Sequence, residues 1–84
     1  MNEKSVKIAL VDDNPYVNEN NRLLLNKIQK QKKFSRINFE IKEYIDGKDL
    51  LESNIIYDFI LMDYEMQQLN GMATAIELEK RNFL

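Results

Sequence analysis

The feature that most constrains the fold is a short apolar run, Phe59-Ile60-Leu61-Met62, that ends at the acid Asp63. Apolar residues in unbroken succession predict a β-strand buried on both faces, which is typical of parallel sheets. The polar segment at 67–71, which ends in a glycine, predicts a connection after that strand. We therefore expect Asp63 to lie at the carboxyl end of a buried strand, the edge at which open α/β sheets bind ligands.

Strand-like and helix-like segments alternate along the whole chain. Residues 6–11 are nearly all apolar and predict a second buried strand, which ends at Asp12 and Asp13. Asn14 and Pro15 then suit the cap and the first position of a helix that runs to about Lys30. The remaining predicted elements are an edge strand over 39–45, a turn at 46–47, a short helix over 48–54 and a last helix over about 70–82, capped by Asn70.

Helical spacing also predicts which side chains face the core. On the first helix the predicted buried stripe comprises Val17, Leu24, Leu25 and Ile28, and the predicted solvent-exposed side comprises Asn18, Glu19, Asn20, Lys27 and Gln29. On the two later helices the inward residues are Leu50, Leu51, Met72, Ala75 and Ile76. Tyr44 and Tyr57 are expected to pack in the core or at its rim.

The order β-α-β-α-β-α predicts an α/β fold: a parallel sheet with right-handed crossovers and helices on its faces. With 84 residues the chain forms at most one small domain.

Composition removes most classes of enzyme. The chain has no cysteine and no histidine, which excludes disulfides, thiolate or imidazole zinc sites and Ser-His-Asp triads. The net charge of −2 favours neither nucleic acid nor a membrane surface, and no apolar stretch approaches the roughly 20 residues of a membrane span. The basic cluster after the first helix predicts a solvated connection; it comprises Lys27, Lys30, Lys32, Lys33 and Arg36. We expect a cytoplasmic protein that binds neither nucleic acid nor membranes.

Three acids follow two of the predicted strands. If these strands are neighbours, about 4.8 Å apart, then Asp12, Asp13 and Asp63 meet at one edge of the sheet. Their mutual repulsion favours a bound divalent cation, and oxygen ligands without histidine or cysteine indicate Mg²⁺. A carboxylate beside Mg²⁺ is a plausible nucleophile toward a phosphoryl group, which would give an aspartyl phosphate.

Four motifs carry a resemblance to a known family. They are Leu-Val-Asp-Asp-Asn-Pro at 10–15, Asp-Gly-Lys-Asp-Leu-Leu at 46–51, Tyr-Asp-Phe-Ile-Leu-Met-Asp-Tyr-Glu-Met at 57–66 and Leu-Asn-Gly at 69–71. In this order and at these separations they resemble the receiver domain of two-component response regulators, which has the CheY-like, flavodoxin-like fold. The resemblance extends from about Val6 to the end of the chain.

The resemblance implies a role for each site residue. Asp63 corresponds to the phosphate-accepting aspartate, Asp13 to the acid that binds Mg²⁺ directly and Asp12 to the acid that acts partly through water. Glu65 stands where the family supplies a backbone carbonyl to the metal. The phosphoryl donor would be a histidine kinase or a phosphotransfer protein in a phosphorelay, so the chain would be a signalling phosphoacceptor and not an enzyme.

The chain departs from the family pattern in two ways. Gln67 stands where the family usually has proline, and residues 1–84 match only the N-terminal (βα)₃ portion, without strands 4–5 and helices 4–5. The family's switch hydroxyl and its site lysine therefore have no counterpart here. The third strand would then be an exposed apolar edge, from which we expect a homodimer or higher oligomer joined through that edge.

Two other functions remain open at this point. One is a receiver-derived interaction module that takes no phosphate and acts by dimerising or by sequestering a kinase. The other is a Mg²⁺-dependent phosphohydrolase with an aspartyl nucleophile. That class generally has an Asp-x-Asp arrangement after one strand, whereas Asp12 and Asp13 are adjacent.

Overall fold

A three-stranded parallel sheet forms the centre of the molecule. The structure is a computed structural model and describes residues 4–63 and 71–81. The strands are β1 (Lys4–Val11), β2 (Ile37–Tyr44) and β3 (Phe59–Met62), and they lie in the order β2-β1-β3. Ile8 of β1 pairs with Ile41 on one side and with Phe59 on the other. The predicted all-parallel α/β architecture is confirmed.

Among the described residues, the α-helices that connect and follow these strands are α1 (Pro15–Gln29), α2 (Gly47–Glu52) and α3 (Gly71–Lys80), and a 3-10 turn lies at Lys32–Phe34. The side chain of Asn14 accepts a hydrogen bond from the backbone N–H of Tyr16 at 3.0 Å, so the predicted cap of α1 is confirmed. The turn predicted at 46–47 is instead the start of α2, because the Asp46 carboxylate caps that helix through the N–H of Asp49. In the part of the chain that the structure describes, no helix has the length and apolar character needed to cross a membrane.

Both faces of β1 are buried. Ile8 and Leu10 point to the face that α1 covers, while Ala9 and Val11 point to the opposite face, and all four are at most 4% exposed. The face of Ala9 and Val11 carries the main core, which also contains the residues Tyr44, Leu50, Leu51, Tyr57 and Leu78. The predicted inward positions of Leu50, Leu51 and the two tyrosines are confirmed.

The predicted faces of α1 and α3 are partly wrong. On α1, Val17 and Leu24 are exposed, and the fully buried residue is Asn18. A sheet of three strands is too narrow to cover the whole apolar stripe of a 15-residue helix, and the start of α1 turns Asn18 toward the strand ends.

On α3, Thr74 and Leu78 are buried whereas Ile76 is half-exposed. The reason is that Leu78 packs in the same core as Leu50 and Leu51 of α2, so the side of α3 that carries Thr74 and Leu78 faces inward. Ala75 is partly buried. The predicted burial of Met72 concerns a side chain that the structure does not describe, and the predicted cap at Asn70 lies outside the described residues.

Strand β3 is an edge of the sheet. The prediction that it is buried on both faces is wrong: Phe59 is 62% and Leu61 47% exposed, whereas Ile60 and Met62 pack partly against the core. The prediction of an exposed apolar edge is confirmed, since β3 pairs with β1 alone among the described strands.

Candidate metal centre

Three carboxylates converge at the carboxyl ends of β1 and β3. Asp12, Asp13 and Asp63 each offer an oxygen, and these oxygens all lie within 4.8 Å of one another. Asp12 and Asp63 are half-buried and Asp13 is exposed. The sheet order explains the meeting, because β1 and β3 are direct neighbours and run parallel. The predicted cluster is therefore present.

Backbone hydrogen bonds fix the two strand ends that carry these acids. The N–H of Asp12 donates to the carbonyl of Tyr44 at 3.1 Å, and the N–H of Asp63 donates to the carbonyl of Val11 at 3.0 Å. The backbone hydrogen bonds between neighbouring strands thus continue one residue beyond the end of β1 and of β3. One carboxylate oxygen of Asp12 accepts the N–H of Asn14 at 2.9 Å, which holds the turn into α1.

Asn18 supplies a buried oxygen beside the cluster. Its side-chain nitrogen donates to the carbonyls of Tyr44 at 3.0 Å and Asp12 at 3.4 Å. Because both partners are carbonyls, the nitrogen must point toward them and the orientation of the amide is fixed. The amide oxygen Oδ1 is buried and accepts no hydrogen bond from the described residues. Such an orphaned acceptor is uncommon in native proteins and suits a site that takes a hydrated ion.

A cavity of about 270 Å³ adjoins the cluster. Polar groups from both strand ends and from α1 line it, including Asp12, Asp63, Asn18 and Asn21. The donor set consists of oxygens, three of them carboxylate, which is the chemistry that Mg²⁺ selects. These residues therefore fit a hydrated Mg²⁺, with Asp12, Asp13 and Asp63 as its candidate ligands.

A tyrosine pair within the core lies at the end of β2. The Tyr44 and Tyr57 hydroxyls share a hydrogen bond, and the two rings meet edge to face with centroids 6.1 Å apart. Burial, together with the hydrogen bond and the charge interaction with Tyr44, raises the pKa of Tyr57 above that of an ordinary tyrosine. The Tyr44 carbonyl also accepts hydrogen bonds from the N–H of Asp12 and the side-chain nitrogen of Asn18, so Tyr44 links the tyrosine pair to the site.

Glu65, the predicted source of a backbone carbonyl ligand, lies outside the described residues.

Two further residues line the cavity that the sequence patterns do not predict as site residues. Helical spacing predicts Asn18 on the solvent side of α1 and predicts no site role for Asn21, yet both line the cavity. A signal was present: Asn14, Asn18 and Asn21 are spaced four and three residues apart, which places them along one side of a helix. Because this amide stripe begins at the cap next to Asp12 and Asp13, it predicts a polar helix side facing the acids.

No family model, curated protein or solved structure matches this chain.

Proposed function

We propose that this chain is a receiver-like phosphoacceptor of the CheY-like, flavodoxin-like type, working in a cytoplasmic phosphorelay. Asp63 accepts a phosphoryl group from a phosphohistidine of a kinase or phosphotransfer protein. The observation that carries the proposal is the meeting of Asp12, Asp13 and Asp63 within 4.8 Å at the ends of two adjacent parallel strands. The sheet order β2-β1-β3 also agrees with the first three strands of that fold.

The proposed reaction uses the Asp63 carboxylate as the nucleophile. One of its oxygens attacks the phosphorus, the P–N bond to the donor imidazole breaks, and its electron pair returns to the ring nitrogen. The product is an acyl phosphate on Asp63. Mg²⁺, when bound, offsets the charge of the phosphoryl oxygens and of the acids. Asp12 and Asp13 hold that ion, while the hydrogen bond from the Asp63 N–H to Val11 keeps the nucleophile at the strand end.

The test is phosphorylation by a small-molecule donor. The 84-residue chain is incubated with acetyl phosphate and Mg²⁺, and the mass of the intact chain is measured. We expect a gain of one phosphoryl group that requires Mg²⁺ and that is lost in Asp63→Asn. Asp49→Asn, which changes an exposed aspartate of α2 outside the cluster, serves as the matched control and should be phosphorylated like the wild type.

A second candidate is a receiver-derived interaction module that takes no phosphate. The exposed apolar edge strand β3 favours it, because Phe59 and Leu61 offer a surface for another chain. The phosphorylation test above distinguishes the two candidate functions. Absence of both Mg²⁺ binding and an adduct, with Asp63→Asn indistinguishable from the wild type, would support the interaction module and contradict the phosphoacceptor.

A further inference from the structure

The two edges of the sheet differ in how they are protected against pairing with another chain. On β2, exposed charged residues such as Glu40 and Lys42 alternate with partly buried ones. Charges on an edge strand oppose the addition of a further strand. Strand β3 contains no charged residue and no proline over its four residues. Among the described strands, β3 is thus the edge that is open to sheet extension.

An apolar groove adjoins this open edge on the face of α1. It has a volume of about 470 Å³, and every residue that lines it is apolar. Its walls include Ile8 of β1, Leu25 of α1 and Phe39 of β2, and Phe59 and Leu61 of β3 form its outer side. The groove and the edge strand therefore make one continuous apolar surface.

The accessible surface of the chain leaves room for an interface of ordinary size. It measures 6101 Å². A compact folded monomer of 10.0 kDa is expected to expose about 5,200 Å², roughly 900 Å² less. A standard protein interface buries about 800 Å² from each partner. This excess belongs to the chain as a whole, and one standard interface would cover an area of the same size. A net charge of −2 opposes self-association only weakly.

We propose that the occupant of this surface is a second copy of the chain, paired antiparallel through β3 about a two-fold axis. Opposite residues of an antiparallel pair point to the same face. The pair is centred on Ile60, so Phe59 lies opposite the partner's Leu61 on the groove face. A pair centred on Leu61 would instead place Phe59 against the partner's Asp63, a carboxylate of the candidate metal site. The pair centred on Ile60 places Asp58 opposite the partner's Met62, but the carboxylate of Asp58 already accepts the Lys7 N–H of its own chain at 2.8 Å. The result is a continuous six-stranded sheet.

This two-fold arrangement follows from the unequal edges. A head-to-tail contact of β3 with β2 would set an apolar strand against the charges of Glu40 and Lys42 and would continue into a filament. Pairing of β3 with itself closes at two chains. The inference is independent of phosphate chemistry and goes beyond the proposed function, since the contact between the two copies requires neither a phosphoryl group on Asp63 nor a metal.

The first test compares two charge substitutions by sedimentation over a range of micromolar concentrations. Phe59→Lys removes a large apolar side chain from the edge, while Leu24→Lys makes the same change on α1 at a residue outside the groove that is 57% exposed. We expect the wild type and Leu24→Lys to form dimers of similar affinity. The dissociation constant of Phe59→Lys should be at least about tenfold higher, because the variant loses apolar contacts across the interface. A wild type that stays monomeric, forms filaments or responds equally to both changes would overturn the proposal. Circular dichroism of each variant establishes that it is folded.

The second test fixes the register by cross-linking. The chain has no cysteine, so Ile60→Cys introduces a unique thiol, which the proposed pairing places next to its copy in the partner. Directly opposite Cβ atoms lie about 4.5–5.5 Å apart, close enough for a disulfide after a small adjustment. Under mild oxidation Ile60→Cys should form a covalent dimer and Leu24→Cys should not. Equal cross-linking of the two variants, or a dimer that Ile60→Cys does not capture, would contradict this register.

Discussion

Asp13 illustrates the conflict between binding and stability in an acidic cluster. It is the exposed member of three carboxylates whose oxygens lie within 4.8 Å. Without a cation these charges repel one another, although solvent screens an exposed group strongly. We expect Asp13→Asn to stabilise the metal-free chain by about 1 kcal/mol or less and to weaken Mg²⁺ binding at least about tenfold.

Thermal unfolding in chelator and Mg²⁺ titration measure these two effects. Glu19→Gln removes an exposed charge from α1 outside the cluster and is the control. A metal-free Asp13→Asn chain that unfolds at a lower temperature than the wild type would show that the acids do not repel one another appreciably.

Asn18 is a buried polar residue that joins α1 to both neighbouring strand ends. Asn18→Leu leaves the carbonyls of Asp12 and Tyr44 without this donor in a buried position. We expect the free energy of unfolding in urea to fall by about 2–3 kcal/mol. Asn20→Leu, at an exposed position on the same helix, should change it by less than about 0.5 kcal/mol. Equal effects of the two substitutions would rule out this linking role.

Tyr57 makes the free energy of unfolding depend on pH in the alkaline range. Its pKa is raised in the folded chain, so above the ordinary tyrosine pKa of about 10 the unfolded state loses its proton first. The folded state then binds more protons than the unfolded state, and the free energy of unfolding falls as pH rises past that value. Below it, the contribution of Tyr57 is fully present.

Tyr57→Phe should reduce this alkaline loss of stability, as measured by urea unfolding between neutral and strongly alkaline pH. At neutral pH the variant should be about 1 kcal/mol less stable, because the Tyr44 hydroxyl loses its partner. Tyr16→Phe, at an exposed tyrosine, should leave the pH profile as in the wild type. An unchanged profile for Tyr57→Phe would contradict the assignment.

At the scale of the element, α2 is six residues long and depends on its cap and its packing. A helix this short is not stable in isolation. The carboxylate of Asp46 accepts the N–H of Asp49 at 2.8 Å, and Leu50 and Leu51 anchor the helix in the core. We expect Asp46→Ala to lower the free energy of unfolding by about 1–2 kcal/mol. Asp46→Asn retains a capping oxygen and should cost about 0.5 kcal/mol or less, and a cost equal to that of alanine would argue against the cap.

The elements themselves were largely predictable because their signals are local. The acids that follow β1 and β3 come directly after those strands in the sequence. Asn14 and Pro15 likewise stand directly at the start of α1. The alternation over β2 also predicted an edge strand. The faces of α1 and α3 were not predictable to the same degree, because Val17, Leu24 and Ile76 are apolar yet exposed. Burial depends on which partner an element meets, and sequence spacing alone does not contain that information.

For the whole molecule, the proposed dimer makes the melting temperature depend on protein concentration. A dimer that dissociates on unfolding gains stability by mass action, so the wild type should melt at a higher temperature as its concentration rises. Phe59→Lys should melt at a temperature that changes less with concentration, whereas Leu24→Lys should follow the wild type. Scanning calorimetry over a range of concentrations measures this, and a wild-type melting temperature independent of concentration would count against the dimer.

The sequence by itself determined the alternating α/β order and the three acids of the candidate site. Each depends on periodicity or on a residue type at a strand end, and both are local properties. Only the tertiary structure decided that β1 and β3 are neighbours, which brings Asp63 within reach of Asp12 and Asp13. It also decided that Asn18 is buried beside them and that the apolar strand β3 is an edge. The physical reason is that burial and proximity arise from packing between segments far apart in the chain.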